Sequence, residues 1–571
     1  MSPDPVAPDL VSIRLEPLAV EFNVPRGGSL VTGLAAHGFE FPCGGIGECG
    51  GCDARILSGS LPITDSDRSI FTPDQLACGW RLACRARAES PLVLECAQWR
   101  MEVLVDNNNG RPISPASSAG MVGTHSSASA AAPSSFAALS RKGVGETAAR
   151  KSAFGIAIDL GTTTIAAQLI DLATGNALAV ETMLNPQAAF GADVMSRIRA
   201  ALEGHDLATP IRSALGQLVA RLASGRLSQI AEILLVGNTV MHHLFSGLSV
   251  RPLAHVPFQS PNLAEQRFAP RDLAWDLPDD CTIRFVRCIG GFVGSDILAG
   301  IVATGIAHSI DLAALVDLGT NGEIAIGNRD GIVCASSAAG PAFEAGSIRM
   351  GMRAVTGAIS YVALREGGLN VTIIGDVSPR GICGSGVVAA VAAGLCSGAI
   401  RSNGRIANGT KTFPIAPPVV LCQSDIRELQ LAKAAIAAGF RLLLKHLAIT
   451  DRENPGISRE KSAGLNQYTN RSEKNKGDSA PEVPCYPYSV HLAGAFGNYM
   501  HIESALRIGL FEAPRSTIHA AGNTALRGAK MLLLADREPP LPPIQHISLA
   551  ADHAFQDEFA NCMNFPAPQS A

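Results

Sequence analysis

The chain has 571 residues, which is too long for one hydrophobic core and predicts about three to four domains. Its composition is globular, with 47% hydrophobic and 17% charged residues, and the net charge of −4 argues against nucleic acid or an anionic membrane as a partner. The N-terminus lacks the pattern of a signal peptide, and no apolar run reaches the ~18 residues that span a bilayer. With no export signal, the 14 cysteines indicate metal ligation and buried thiols, and we expect a cytoplasmic protein.

The first elements of the chain are short. Residues 11–22 alternate apolar and polar side chains, and Gly27-Gly28 follow as a turn, which together predict a hairpin. Residues 29–37 can form a short helix, and residues 54–57 a strand. A glycine-rich loop lies between that helix and that strand, so the loop is held at both ends by regular structure.

This loop carries three closely spaced cysteines. Cys43, Cys49 and Cys52 follow the pattern C-x5-C-x2-C. Thiolates hold [2Fe–2S] clusters through such a loop together with a fourth cysteine from further along the chain. Glycines let the backbone fold tightly around the inorganic core and leave N–H groups for its sulfurs. Two residues compete for the fourth position, Cys78 and Cys84.

The segment resembles the plant- and adrenodoxin-type ferredoxins, which have a β-grasp fold. The five-residue first gap is closer to the adrenodoxin type. In these proteins the fourth ligand lies in an Arg-Leu-Ala-Cys stretch, so the resemblance selects Cys84 and makes Cys78 a thiol outside the cluster. It implies a [2Fe–2S] electron-carrier domain over residues 1–98.

Three further stretches lack the pattern of a packed core. Residues 99–152 are rich in Ser, Ala, Gly and Pro and predict a flexible linker. Residues 451–487 are polar and predict a disordered insertion. Residues 538–571 are Pro-rich and weakly patterned, and we expect them to form a C-terminal tail.

Two similar segments lie between these stretches, at residues 157–164 and 315–324. Each has an apolar strand, an Asp, a Gly, hydroxyl or amide residues, and a second apolar strand. This order predicts a β-hairpin whose tight turn offers backbone N–H groups and hydroxyls to a phosphate. The Asp at the end of the strand can hold hydrated Mg²⁺ or orient an attacking water.

The pair resembles the phosphate motifs of the acetate and sugar kinase, Hsc70 and actin (ASKHA) superfamily, whose ATPase domains are two-lobed and ribonuclease H-like. The resemblance implies ATP and Mg²⁺ as ligands, with Asp159 and Asp317 as the catalytic pair. A later segment, 492–497, looks like the adenosine motif, and residues 381–395 resemble a connecting helix at the interdomain hinge. The candidate nucleotide-binding residues are Gly161, Thr162, Thr163, Thr164, Gly319, Thr320, Asn321, Gly322, Gly494 and Gly497.

One family contains all these parts, and the chain is similar to it over nearly everything outside the linker, insertion and tail. The reductive activators of corrinoid-dependent enzymes tether a [2Fe–2S] domain to a two-lobed ATP-binding domain. The segments that carry the resemblance are 185–194, 237–242, 317–323, 340–344, 425–433 and 492–497. It implies ATP-dependent, one-electron reduction of a Co(II) corrinoid protein to Co(I), in support of corrinoid-dependent methyl transfer.

The predicted fold is therefore an α+β and α/β multidomain one. A β-grasp ferredoxin and its linker precede a first ATPase lobe at 153–310 and a second lobe at 311–537. The family implies a corrinoid protein of a methyltransferase system and an upstream low-potential electron donor as partners, and a homodimer is one assembly compatible with it. The metal ligands would be Cys43, Cys49, Cys52 and Cys84.

Three alternatives stay open. A small-molecule kinase with a fused redox domain fits the phosphate motifs, although no sugar- or acyl-recognition signal is visible. A ferredoxin carrier regulated by nucleotide, without hydrolysis, fits equally well. An activator of radical dehydratases would carry a bridging cluster within the ATPase domain, and its cysteines are not apparent here. His242, His243 and His501 lack neighbours at ligand spacing and predict helix or interface positions.

Overall fold

The computed structural model describes residues 9–16, 20–36, 52–96, 153–191, 193–319, 321–354, 357–366, 368–374, 377–453, 489–494, 500–535 and 538–567. The predicted linker at 99–152 lies outside these residues, and so does the predicted insertion apart from residues 451–453, which end a helix. Among the helices in the described part of the chain, none combines the length and apolarity needed to cross a membrane.

The N-terminal module is a small mixed sheet with three short helices. Its elements are β1 (Leu10–Glu16), β2 (Val20–Pro25), β3 (Gly28–Ser29), α1 (Val31–Ala36), β4 (Asp53–Ser58), α2 (Asp65–Ile70), α3 (Pro73–Ala77), β5 (Trp80–Leu82), β6 (Arg87–Ala88) and β7 (Leu92–Cys96). Five strands form one sheet in the order β2-β1-β7-β4-β5, in which β1 and β7 are parallel. This is the predicted ferredoxin-type architecture.

One detail of the sequence prediction for this module is wrong. The alternation over residues 11–22 does not form one strand, because it is shared between β1 and β2, which pair antiparallel with each other. The hairpin connection therefore falls between Glu16 and Val20, whereas the predicted turn at Gly27 leads from β2 into β3. Val11, Ile13 and Leu15 point into the module's core, as the alternation requires.

The first lobe is a six-stranded sheet covered by helices. Its elements are β8 (Phe154–Leu160), β9 (Thr164–Asp171), β10 (Ala177–Leu184), α4 (Val194–Leu202), α5 (Ala208–Ala223), β11 (Ile230–Val236), α6 (Thr239–Ser246), β12 (Gln266–Phe268), β13 (Thr282–Phe285) and α7 (Ser295–Thr304). The strand order is β10-β9-β8-β11-β13-β12. The β8–β9–β10 meander is antiparallel, whereas β11 and β13 run parallel to β8.

The second lobe repeats this plan with more additions. Its elements are β14 (Ala313–Leu318), β15 (Gly322–Asn328), β16 (Gly331–Ser337), β17 (Ala358–Arg365), β18 (Gly368–Ile373), β19 (Gly381–Ile382), α8 (Gly384–Cys396), β20 (Thr412–Ala416), β21 (Val419–Cys422), α9 (Gln423–Glu453), β22 (Ser489–Ala493), α10 (Ile502–Arg507), β23 (Ile518–Gly522), α11 (Thr524–Leu534), β24 (Ile544–His546) and α12 (His553–Asn561). The main sheet has the order β23-β22-β14-β15-β16-β24.

The two main sheets share five strands in the same order and directions. In each, an antiparallel meander is followed by two strands parallel to its first strand, which gives β10-β9-β8-β11-β13 in one lobe and β16-β15-β14-β22-β23 in the other. The sixth strand differs, because β12 lies beside β13 whereas β24 lies beside β16. The duplicated sheet is the predicted two-lobed, ribonuclease H-like arrangement.

Two helices, α7 and α11, pack against each other between the two sheets. Leu298 of α7 joins the apolar core of the first sheet together with α11, and Ile297 of α7 joins a core that includes Leu315 of the second. The helix backbones nearly touch, because a Cβ atom on Gly528 of α11 would lie 1.9 Å from the carbonyl oxygen of Ala299. These helices link the lobes.

The interpretation of residues 381–395 as the connecting helix at the hinge is therefore wrong. Helix α8 is buried from Gly384 to Leu395 and belongs to the core of the second lobe, where it packs on β17 and α10. Its small residues serve close packing inside that lobe. The uniform burial explains why the helix is apolar on all sides.

Residues 538–567 are an integral part of the second lobe, whereas the sequence predicted only a tail. Strand β24 extends the main sheet beside β16, and α12 packs along α9. The Lys433 ammonium donates to the carbonyl of Asn564 at 2.6 Å and lies over the Phe565 ring. Because Lys433 is almost fully buried, this end of the chain covers a cation that needs those partners.

Candidate functional site

The first phosphate-type loop joins β8 to β9. Asp159 lies near the end of β8, Gly161, Thr162 and Thr163 form the turn, and Thr164 opens β9. All of these residues are half-buried, so part of each stays accessible to a ligand. The Asn238 side chain, which caps α6, donates to the Thr162 hydroxyl at 2.8 Å. The hairpin and its hydroxyl row are arranged as the sequence predicts.

The buried side chains of Arg197 and Asn185, which we call the clamp, hydrogen-bond to the backbone of this loop. Arg197 of α4 is fully buried and donates from Nη2 to the Thr162 carbonyl at 2.6 Å and from Nε to the Gly191 carbonyl at 3.0 Å. Burial lowers the pKa of its guanidinium to about 9. Asn185 is also buried and donates from Nδ2 to the Gly161 carbonyl at 2.9 Å. The Asn-Pro-Gln segment thus fixes the phosphate-type loop.

The second loop joins β14 to β15. Asp317 lies near the end of β14, the Gly319 N–H donates to the Asn321 carbonyl at 3.1 Å, and Gly322 begins β15. Gly494 lies against this loop, since a Cβ there would be 2.5 Å from Asp317 Oδ1. The proposed adenosine motif therefore meets the second loop at its acidic residue. Two predicted contacts, Thr320 and Gly497, lie outside the described residues.

Four carboxylates interact in the cleft. Desolvation raises the pKa of Asp159 to about 6, of Asp317 to about 7 and of Asp296 to about 8, and it also raises that of Glu323. Repulsion among the four adds to this effect. Asn523, the N-cap of α11, opposes it by donating to Asp159 Oδ2 at 2.9 Å. The site therefore favours a proton or a bound cation over free negative charge.

These side chains fit a hydrated cation that is coordinated partly by the phosphates of a bound substrate. Within the described ranges, no three His, Cys, Asp or Glu side chains converge as a complete metal-binding group. Mg²⁺ commonly uses only one or two carboxylates together with waters and substrate phosphates. Two acidic loops that face one cleft meet this requirement.

Sequence reasoning missed three contributors to this site. Asn238 enters the sequence interpretation only as part of segment 237–242, and no pattern marks Asp296 or Asn523 as a site residue. Asn523 lies 364 positions from the carboxylate that it bonds, so no local pattern could reveal the contact. Asn238 and Asn523 are N-caps and Asp296 lies in the first turn of α7, so a polar residue at the start of an apolar helix is the signal that could have identified them.

The histidines of α6 are structural, as the sequence predicted. His242 and His243 are fully buried. His243 bonds the Thr239 carbonyl at 2.7 Å and the Ser260 hydroxyl at 2.8 Å, and His242 packs edge-on against Phe285. Burial lowers the pKa of both rings, so they are neutral at physiological pH.

The candidate cluster site lies at one end of the N-terminal sheet. Cys52 immediately precedes β4, Cys84 follows β5, and the two strands pair. The Ala83 N–H donates to the Cys52 carbonyl at 2.8 Å, which brings the two buried cysteines side by side. Cys78 ends α3 and is exposed. Cys43 and Cys49 lie outside the described residues. The described pair fits half of a four-thiolate set.

The fold and these sites define a two-lobed ASKHA-type domain joined to a ferredoxin-type iron–sulfur module. Family models match all three parts. Residues 13–89 match the 2Fe-2S iron-sulfur cluster binding domain, residues 154–309 the RACo middle region, and residues 311–455 with 488–571 the C-terminal domain of RACo, the ASKHA domain.

Similar proteins identify the family. The chain is 33% identical to the corrinoid activation enzyme RamQ of Eubacterium limosum, over 72% of this chain and 70% of that protein. It is 27% identical to a [Co(II) methylated amine-specific corrinoid protein] reductase of Methanosarcina barkeri, over 67% of this chain and 70% of that one. A solved reductive activator for a corrinoid, iron-sulfur protein superposes with a TM-score of 0.59 at 25% identity, over 98% of both chains. The chain belongs to the family of reductive activators of corrinoid proteins.

Proposed function

We propose that this protein is an ATP-dependent reductive activator that transfers one electron from its [2Fe–2S] cluster to an inactive Co(II) corrinoid protein. The corrinoid gains one electron and becomes Co(I), and the reduced cluster loses one. The product would support corrinoid-dependent methyl transfer. The observation that carries the proposal is the joining, in one chain of this family, of a ferredoxin module to two acidic phosphate-type loops whose carboxylates interact.

ATP is proposed to bind between the lobes. Backbone N–H groups of both loops, with the hydroxyl and amide groups of Thr162, Thr163, Thr164, Thr320 and Asn321, would contact phosphate. Gly494 and Gly497 would lie near the adenosine. Mg²⁺ would offset the negative charge of the four carboxylates, whose pKa values are raised by burial and by repulsion among them.

Asp159 and Asp317 are proposed to act on metal and water. Burial and the neighbouring Asp159 raise the pKa of Asp317, and its carboxylate would orient the attacking water or hold the hydrated cation. Asp159 is partly satisfied by the Asn523 amide, which suits it to hold the hydrated cation in a fixed orientation.

Coupling to ATP has a thermodynamic reason. Plant-type ferredoxin clusters lie at about −400 mV, and a super-reduced corrinoid is expected to lie lower. Each ~59 mV uphill costs ~1.4 kcal/mol for one electron. A nucleotide that binds one lobe arrangement more tightly can stabilise a corrinoid-bound state by that difference in affinity. Binding that weakens an axial cobalt ligand would raise the cobalt potential.

The cluster is proposed to be held by Cys43, Cys49, Cys52 and Cys84. Cys84→Ser should lose the [2Fe–2S] absorption, whereas the matched change Cys78→Ser should keep it, because Cys78 is exposed and lies outside the buried pair. Iron and acid-labile sulfide analysis gives an independent measurement. Retention of a full cluster in Cys84→Ser would refute this ligand set.

Stopped-flow absorbance tests the function itself. The full chain with a chemical reductant, Mg-ATP and a Co(II) corrinoid protein from a methyltransferase system should give the Co(I) spectrum. Equally fast Co(I) formation without ATP would leave a simple ferredoxin carrier. Phosphorylation of a small molecule, with no corrinoid reduction, would favour the kinase alternative. The low-potential donor, a homodimer and a cytoplasmic location stay predictions.

A further inference from the structure

The ferredoxin module contacts the second lobe through a buried ion pair. Arg380, just before β19, donates from Nη1 to Asp53 Oδ2 at 2.9 Å. Both side chains are almost fully buried, at 8% and 3% exposure. The Arg380 guanidinium also lies over the ring of Phe71, 5.9 Å from its centre. Buried charge pairs of this kind fix orientation, because either partner alone would be stranded in an apolar environment.

The same module also contacts the first lobe. Leu184, at the end of β10, is 3% exposed and belongs to the apolar core of the ferredoxin module. Ala188, in the 3₁₀ turn Pro186–Phe190, packs against that core, and α1 of the module faces this turn. We call the contacts of Arg380, Leu184 and Ala188 the seat of the module. The seat is shared between two lobes.

One residue connects the seat to the first phosphate-type loop. Asn185 lies between Leu184 and the 3₁₀ turn, and its backbone N–H donates to the Thr163 carbonyl at 2.9 Å. Its side chain donates to the Gly161 carbonyl at 2.9 Å. A displacement of this loop should therefore move the segment 184–190, which contacts the ferredoxin module.

We propose that nucleotide controls whether the ferredoxin module is seated, and that Mg-ATP releases it. A module held by both lobes fits one angle between them, and a ligand that draws the two loops together changes that angle. Rotation of the lobes moves Arg380 relative to Leu184 and Ala188. The module then cannot keep its contacts with both lobes at once. This inference rests on the proposed binding of ATP at these loops.

Release would also free the surface beside one proposed cluster ligand. Asp53 directly follows Cys52, so the seat lies one residue from that ligand. We expect oxidants and a corrinoid protein to reach this part of the module more easily once it is released. Nucleotide thereby determines when the electron can leave the chain.

Hydrogen–deuterium exchange of the full cluster-containing chain tests this, with and without the non-hydrolysable analogue Mg-AMPPNP. Peptides at 158–164 and 315–322 should become protected by the ligand. Peptides at 31–36, 52–58 and 184–190 should exchange faster, by roughly 10-fold or more if the buried charge pair is broken. Protected loops with an unchanged seat would overturn this inference and leave the proposed function intact. Unprotected loops would overturn both.

Two variants and a control complete the test. Arg380→Gln should show fast seat exchange without nucleotide and faster oxidation of the reduced cluster by ferricyanide, while the loops still respond to Mg-AMPPNP. Ala188→Glu should have the same effect from the first-lobe side, which guards against an unfolded Arg380 variant. Arg401→Gln, an exposed arginine of the second lobe, should behave as the unsubstituted chain does. Unchanged oxidation in both seat variants would refute the proposal.

Discussion

The two phosphate-type loops have the same position in duplicated sheets, yet they are held in different ways. The first loop is fixed by polar side chains from three other elements: Asn185, Arg197 and Asn238. The second is shaped by close packing, with Ile436 of α9 against Gly322 and Gly494 against Asp317. The first loop is therefore connected to neighbouring elements by directional hydrogen bonds, whereas the second is held by van der Waals contact.

This difference suggests a division of labour. Movement of the first loop must break or shift directional hydrogen bonds, and those bonds lead to the ferredoxin-facing turn through Asn185. The second loop carries Asp317, whose pKa is raised by burial and by Asp159, whereas the Asp159 carboxylate of the first loop accepts a hydrogen bond from Asn523. We therefore expect movement of the first loop to be passed on to the turn that contacts the ferredoxin module. We expect the second loop to supply the main catalytic carboxylate.

The largest expected effect comes from Asp317→Asn. Loss of a general base or metal-orienting carboxylate should lower kcat for ATP hydrolysis by roughly 10²–10⁴-fold. Asp159→Asn should cost less, because Asn523 already occupies one of its oxygens. Steady-state phosphate release measures both variants, and the cluster spectrum should be unchanged in each. Equal losses in the two variants would remove the proposed asymmetry.

The clamp predicts a large effect on stability. Arg197→Met removes hydrogen bonds from a buried guanidinium to the Thr162 and Gly191 carbonyls, and it should lower the unfolding free energy of the first lobe by roughly 2–4 kcal/mol. Urea unfolding followed by tryptophan fluorescence measures it, with Trp80 and Trp99 replaced by Phe in both proteins so that only Trp275 of the first lobe reports. At the packed loop, Ile436→Val should cost only about 0.5–1.5 kcal/mol. A clamp variant as stable as the Ile436 variant would contradict the comparison.

The acidic cluster predicts a dependence on pH. Burial raises the pKa of Asp317 to about 7 in the folded chain, above its ordinary value of 3.8, so between these two pH values the folded protein keeps a proton that the unfolded chain has lost. Stability without nucleotide or divalent cation should therefore fall as pH rises from about 4 to about 7 and level off above that. Asp317→Asn should remove roughly 2 kcal/mol of that fall, a reduced figure because the carboxyl is partly exposed. Parallel pH profiles for the two proteins would argue against it.

The smallest expected effect concerns the cap of α6. Asn238→Ala removes both an N-cap and the donor to the Thr162 hydroxyl, so it should cost about 1 kcal/mol of stability and weaken AMPPNP binding several-fold. Calorimetric titration gives the affinity. Asn523→Ala also loses a cap but should raise the pKa of Asp159 as well. If nucleotide affinity is unchanged in Asn238→Ala, the Thr162 hydroxyl does not contact phosphate.

Local patterns were sufficient for the architecture. The two hairpins were predicted because an apolar strand, Asp, Gly and hydroxyl residues lie within a few positions of each other, and β8–β9 and β14–β15 pair accordingly. The ferredoxin module was predicted from cysteine spacing. In these cases the interactions that define the element join near neighbours, so the sequence displays them directly.

The errors and omissions concern contacts between distant segments. Helix α8 was assigned to the hinge because small residues permit either close packing or shear, and only tertiary contacts separate the two uses. The final residues lack a strong pattern because β24 is short and its pairing partner, β16, comes from far earlier in the chain. The Asp53–Arg380 pair spans 327 positions, and neither residue is distinctive alone.

The crossing of α7 and α11 has a mechanical consequence. Asp296 opens α7 and Asn523 caps α11, so both ends that reach the acidic cluster belong to helices whose backbones touch at Ala299 and Gly528. Because Gly528 has no side chain, the two helices are already in backbone contact at this crossing. They can rotate relative to each other there, but they cannot move closer together. A methyl group at position 528 would push α7 and α11 apart. Asp296, about one helical turn from the crossing on α7, would then shift relative to the other carboxylates. Position 528 thus sets the geometry of a site it never touches.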